Sequence, residues 1–163
     1  MKARASNSDK EKNARVVNKK AWRDYEILER LEGGLSLLGT EVKSLRAGGG
    51  DLDGSYATVR NDECWLVGSK ISPYVQAGGA NHQPDRKRKI LLHKAEIRKL
   101  RTKLEQRGFT LVPLQIYFNA RGLAKVELAL ARGKRKYDKR RKIEDRAQKK
   151  DIDRHMKRYR RKH

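Results

Sequence analysis

Apolar and polar positions alternate with a period near two through most of the middle of the chain, and that period predicts strands. From Asp24 to Leu38, Tyr25, Ile27, Leu28 and Leu31 stand among charged residues; Gly33-Gly34 interrupts and Leu35-Ser36-Leu37-Leu38 resumes, which predicts a β-hairpin. Ser55–Arg60 and Cys64–Ile71 are β-rich on either side of Asn61-Asp62-Glu63 and predict a second hairpin. Thr110–Phe118 and Leu123–Ala131 predict a third, around Asn119-Ala120-Arg121-Gly122.

The period shifts to three and four in two places. Thr40 offers an N-cap to a short helix with Val42 and Leu45 on one side, ended by Gly48-Gly49-Gly50. Leu91, Leu92, Ala95, Ile97, Leu100 and Leu104 predict a longer helix that stops at Gly108. Between them, Pro73, Gly78, Gly79 and Pro84 make 73–85 a long loop, a common place for function. Six short strands with one substantial helix and no βαβ alternation predict a mainly β protein. The expected fold is a small antiparallel barrel with flanking helices, a class that includes oligonucleotide-binding barrels.

Both ends lie outside this pattern. Residues 1–17 are polar, show no sustained periodicity and predict a disordered arm. Residues 132–163 carry only a thin apolar stripe, Ile143, Ala147, Ile152, Met156 and Tyr159, among many cations, too little to fold alone. The domain therefore spans 18–131, with a basic tail that orders on a partner.

Charge says what kind of partner. Of the net +22, about half (+12) sits in 132–163, +3 in 1–17 and +7 in the barrel region, so no part is acidic. Such a field attracts polyanions. No apolar stretch is long enough to span a bilayer and no signal-peptide pattern opens the chain, so a cytoplasmic protein with no membrane partner is expected. Cys64 is the only cysteine, and a buried structural role fits its place in Glu63-Cys64-Trp65-Leu66. The four histidines show no metal-ligand spacing, and no glycine run matches a phosphate loop with its lysine. No enzyme activity, cofactor or metal is expected.

Six motifs in fixed order carry more. They are Asn18-Lys19-Lys20-Ala21 followed by Asp24-Tyr25; Glu32-Gly33-Gly34-Leu35; Gly39 through Arg46; Asp85 through Lys94; Leu111-Val112-Pro113-Leu114; and Gly133 through Arg140. Together they resemble the small protein B family, the bacterial SsrA-binding proteins. The resemblance implies an oligonucleotide-binding-type barrel that binds the tRNA-like domain of transfer-messenger RNA. It further implies delivery of that RNA to stalled ribosomes for trans-translation, by a monomer.

By motif, the resemblance assigns RNA contact to Asn18, Glu32, Leu91 and Lys125, and Lys19, Lys20 and His93 stand in the same motifs. It assigns the probing of the small-subunit decoding site and empty message channel to Gly133, Lys134, Lys136, Tyr137, Asp138, Lys139 and Arg140. Ile152 and Met156 would serve as helix contacts. Two departures from the family pattern, Gly48-Gly49-Gly50 and His155 before Met156, put local contacts in doubt.

The residues' own chemistry agrees in outline. Arg86, Lys87, Arg88, Lys89 and Lys94 can neutralise phosphates. Glu32 either accepts hydrogen bonds from base or ribose, orients a cation, or is a turn residue. Leu91 fits an unstacked base or a helical core stripe equally. The helix holding Glu41 reads as structural, and Trp22 and Trp65 as packing residues. A structural ribosomal protein with a basic extension is the alternative reading of the same charge.

Overall fold

The computed structural model describes residues 14–106 and 108–134. In chain order these form β1 (Arg15–Val17), α1 (Lys19–Asp24), β2 (Tyr25–Leu35), α2 (Gly39–Arg46), β3 (Gly50–Asp51), β4 (Tyr56–Arg60) and β5 (Glu63–Val67). Then come β6 (Lys70–Ile71), a 3-10 turn at Val75–Ala77, β7 (Arg88–Leu91), α3 (Lys94–Glu105), β8 (Phe109–Phe118) and β9 (Ala124–Gly133). Strands β8, β4, β5, β7, β2 and β9 pair antiparallel in that order, and β9 returns to β8, so six strands close a barrel. Closure removes the unpaired edges of an open sheet. The mainly β antiparallel barrel expected from the pattern, and the oligonucleotide-binding type implied by the resemblance, agree with this architecture.

The core is a cluster in which Leu45, Leu66, Ile90, Leu111, Val126 and Leu128 are almost wholly buried. Helix α2 contributes Leu45, with Val42 packed against it, and α3 contributes Leu100 with Leu104 against it. Ion pairs from Lys99 and Lys103 to Glu29, and from Arg101 to Asp62, fasten α3 along its polar side. A second, smaller cluster packs Ala21 of α1 on Val112, Leu114, Ala129 and Ala131 of the β8–β9 ribbon. Cys64 is fully buried, and burial pushes its thiol up to about 11, which suits a packing role.

Several expectations are corrected. Gly33-Gly34 is no hairpin turn: β2 runs straight through it for 11 residues, leaving β9 and joining β7 there. A Cβ on Gly33 would stand 2.7 Å from Ile90 Cγ2, so glycine serves close strand approach. Leu91 lies in strand β7, and the helix starts at Lys94, where the Glu96 carboxylate accepts from the His93 N–H at 2.9 Å. Thr40 is not the N-cap of α2. Leu38 is, its N–H donating to Glu41 Oε2 at 2.8 Å. The second hairpin stands over Tyr56–Arg60 and Glu63–Val67, with Asn61 and Asp62 both at positive φ as a two-residue turn requires, but Lys70–Ile71 leaves it as β6 and pairs with β3. The arm expected to be disordered through residue 17 ends in β1, which pairs with 115–117 of β8. The last strand extends past Ala131 to Gly133.

Candidate nucleic-acid interface

Strands β2, β7 and β9 with the start of α3 form an open groove, and Gly34 is its floor. Gly34 is in register with Leu91 of β7 on one side and Lys125 of β9 on the other. Lacking a side chain, it lets Leu91 lie over the strand, within 3.3 Å of where a Cβ would stand. Leu91 is 54% exposed, an apolar surface presented to solvent rather than to the core. Glu32, two residues before Gly34, points to the same side because strand side chains alternate.

The Glu32 carboxylate is held from two sides. The Tyr117 hydroxyl donates to Oε2, and Lys125 Nζ lies 3.1 Å from Oε1. The bond from Tyr117, then that from Lys125, holds the Glu32 pKa below its ordinary value of 4.5. The same hydrogen bond pushes the Tyr117 phenol up to about 12, so the phenol keeps its proton and the carboxylate its charge near neutrality. A fixed, half-exposed carboxylate with free lone pairs accepts hydrogen bonds from base amino groups or ribose hydroxyls. The cation beside it offsets repulsion from phosphate. Lys89 and Lys94 also line the groove, Lys89 paired with Glu63.

Six of the residues singled out from the sequence for RNA contact thus meet in one place: Glu32, Lys89, Leu91, His93, Lys94 and Lys125. The sequence model of the family described as SmpB protein matches residues 15–158. The SsrA-binding protein of Syntrophobacter fumaroxidans is 53% identical over 143 residues, covering 88% of each chain.

The chain belongs to the SmpB family.

The SsrA-binding protein of Thermus thermophilus is 57% identical over 126 residues, 77% of this chain and 88% of its own. That of Trichormus variabilis is 50% identical over 155 residues, 93% and 99%. A chain from the solved structure "tmRNA-SmpB: a journey to the center of the bacterial ribosome" superposes with a TM-score of 0.66. It is 52% identical, and the match covers 80% of this chain and 94% of that one.

Two residues assigned to RNA contact are placed inside instead. Asn18 is 3% exposed: Nδ2 donates to the carbonyls of Leu52 and Pro113 at 3.1 Å each, and Oδ1 accepts from the Ala21 N–H at 3.0 Å. Its amide is used up capping α1 and tying it to the barrel. Arg88 is fully buried, donating to Glu41 Oε1 (2.9 Å), the Ser69 carbonyl (2.7 Å) and hydroxyl (3.0 Å), and the carbonyls of Arg86 (3.0 Å) and Pro84 (2.8 Å). Buried behind these contacts, the guanidinium does not reach the surface where a phosphate would sit. Arg86 is partly exposed but also bonds Glu41, at 2.7 Å through Nε. Burial alone would raise the Glu41 pKa, yet the Arg86 and Arg88 guanidiniums and the Leu38 N–H outweigh it and hold it below 4.5.

Lys19 and Lys20 stand exposed on α1, away from the groove, with Lys20 paired to Asp53 at 2.5 Å. Trp22 is 41% exposed beneath the Arg30 guanidinium, 4.6 Å from the ring centre, so it is no core residue. Gly133 ends β9 and Lys134 follows it; Lys136, Tyr137, Asp138, Lys139, Arg140, Ile152 and Met156 lie outside the described residues. Tyr117 was missed from the sequence, although the hairpin around Asn119–Gly122 sets Tyr117 opposite Lys125 and could have exposed it.

Proposed function

We propose that this protein binds the tRNA-like domain of transfer-messenger RNA through the Glu32–Leu91–Lys125 groove and carries that RNA to stalled ribosomes for trans-translation. The observation that carries this reading is the groove itself. Four strands deliver a charged, held carboxylate, an exposed leucine and a lysine to one surface, in a chain of the SmpB family. On this reading the protein acts by binding rather than catalysis and works in the cytoplasm. No helix among the described residues is long and apolar enough to cross a membrane. The basic segment after the barrel, +11 over 134–163, then meets a second RNA surface, the vacant decoding site and message channel.

Affinity purification of the full chain at physiological salt tests the reading. Transfer-messenger RNA is expected to be enriched over bulk tRNA, and Glu32→Ala to fold normally but lose that enrichment. Equal recovery of both RNAs, or an unchanged Glu32→Ala pull-down, would overturn it.

A further inference from the structure

A second hollow, of about 300 Å³, lies on the outer face of the β4–β5 hairpin. Alternation along the two strands turns Ala57, Cys64 and Leu66 inward and leaves Tyr56, Thr58 and Trp65 outward. Thr58 is directly opposite Trp65, and Tyr56 is one outward step along β4. Tyr56 is 47% exposed and Trp65 partly so. A tyrosine and a tryptophan set diagonally across the outer face of one hairpin, both reached by solvent, do nothing for this core.

The rim is cationic. Arg60 and Lys87 both line the hollow, and neither side chain has a hydrogen-bond or ion-pair partner among the described residues. The one carboxylate there, Glu63, is already neutralised by Lys89. Elsewhere on the barrel many cations are spoken for: Lys20, Arg86, Lys99, Arg101 and Lys103 all have carboxylate partners. Aromatic rings with unpaired cations at their edge form the arrangement that holds single-stranded nucleic acid, the rings stacking a base and the cations its phosphates.

We infer that the outer face of the β4–β5 hairpin is a second RNA subsite, holding one unstacked base on Tyr56 and Trp65 and the flanking phosphates on Arg60 and Lys87. This rests on the protein's being an RNA binder. It is separate from the Glu32 groove and takes a single-stranded nucleotide rather than a folded RNA domain. Only Glu63 borders both hollows.

The full chain carrying Trp22→Phe leaves Trp65 as its single fluorophore of that kind. Titration with a short oligoadenylate should quench Trp65 emission saturably. Tyr56→Ala should weaken that binding ~5- to 150-fold, the range for loss of one stacked base, whereas Tyr56→Phe, which keeps the ring, should stay within about twofold. Arg60→Ala should weaken it and flatten its salt dependence. Binding of the tRNA-like domain of transfer-messenger RNA is measured on the same samples. Normal binding of that domain with no oligoadenylate quenching, or with quenching indifferent to Tyr56→Ala, would overturn the subsite and leave the groove reading intact. Failure of the unaltered chain to bind either RNA would overturn both.

Discussion

Replacing Glu41 by Gln should be among the most damaging isosteric changes available in this barrel. The carboxylate is fully buried and bonds two guanidiniums and a backbone N–H, while Arg88 opposite it is equally buried. Arg86 is partly exposed and can turn to water; Arg88 cannot. Glu41→Gln therefore leaves one buried, uncompensated cation, a loss of ~3–5 kcal/mol when a buried pair is broken from one side. In urea, with an m-value of about 1.5 kcal/mol per molar, the midpoint should fall by roughly 2 M or more. The pH dependence gives an independent check. The Glu41 pKa is lower folded than unfolded, so the stability it contributes is full above about pH 5 and is lost as pH falls through the folded-state value, below 4.5. The gap between wild type and Glu41→Gln should thus close in acid. A loss under about 1 kcal/mol at neutral pH, or a gap that stays constant down to about pH 3, would refute the argument.

Other expectations follow from the same geometry. Tyr117→Phe removes a donor to the Glu32 carboxylate, so the Glu32 pKa, read by NMR titration, should rise toward 4.5. Affinity for the tRNA-like domain should drop about fivefold, near 1 kcal/mol. Gly33→Val forces a Cβ to 2.7 Å from Ile90 Cγ2 and 3.0 Å from Leu92 Cδ2, and should destabilise the barrel by ~1–3 kcal/mol in thermal or urea unfolding. Truncation after Lys134 should preserve the melting temperature and most RNA affinity while abolishing tagging in a reconstituted stalled-ribosome assay. Truncation after Ala131 should also lower the melting temperature, because Arg132 and Gly133 pair with Glu26 and Tyr25 of β2.

What could be read in advance was local. The β4–β5 hairpin was legible because Asn61-Asp62 tolerates the positive φ that its turn needs, and the strands flank it directly. Glycine carries no such certificate. Gly33-Gly34 has the composition of a turn but answers to Ile90 and Leu91, far away in sequence. Leu91 and Leu92 extend the apolar spacing of α3 by accident of composition, and only the Glu96 bond to the His93 backbone marks where the helix begins. Strand β1 is three residues long, too short for any period to show. Of the interface, Glu32 and Leu91 came from ordered motifs, and Lys125 from the separate match at Ala124-Lys125-Val126-Glu127. The Tyr117 contact and the burial of Asn18 and Arg88 depend on non-local partners that no window of sequence contains.

The run Arg86-Lys87-Arg88-Lys89 shows how topology divides residues that composition treats alike. Alternation turns Arg88 and Ile90 into the barrel and leaves Lys89 and Leu91 outside, while Arg86 folds back on Glu41. Half the run thus anchors β7 to α2, and the other half faces the two hollows. The difference is measurable through counterion release, since each phosphate contact contributes about 0.7–0.9 to the slope of log affinity against log salt. Lys94→Ala, on the groove and without a side-chain partner among the described residues, should reduce that slope by about that amount. Removing the buried charges together, Glu41→Leu with Arg88→Met, keeps net charge and near-equal packing volume and releases the partly exposed Arg86, so it should not reduce the slope, whatever it does to stability. A reduced slope in the double variant would mean that Arg88 reaches phosphate after all, and that the ion pair opens when RNA binds.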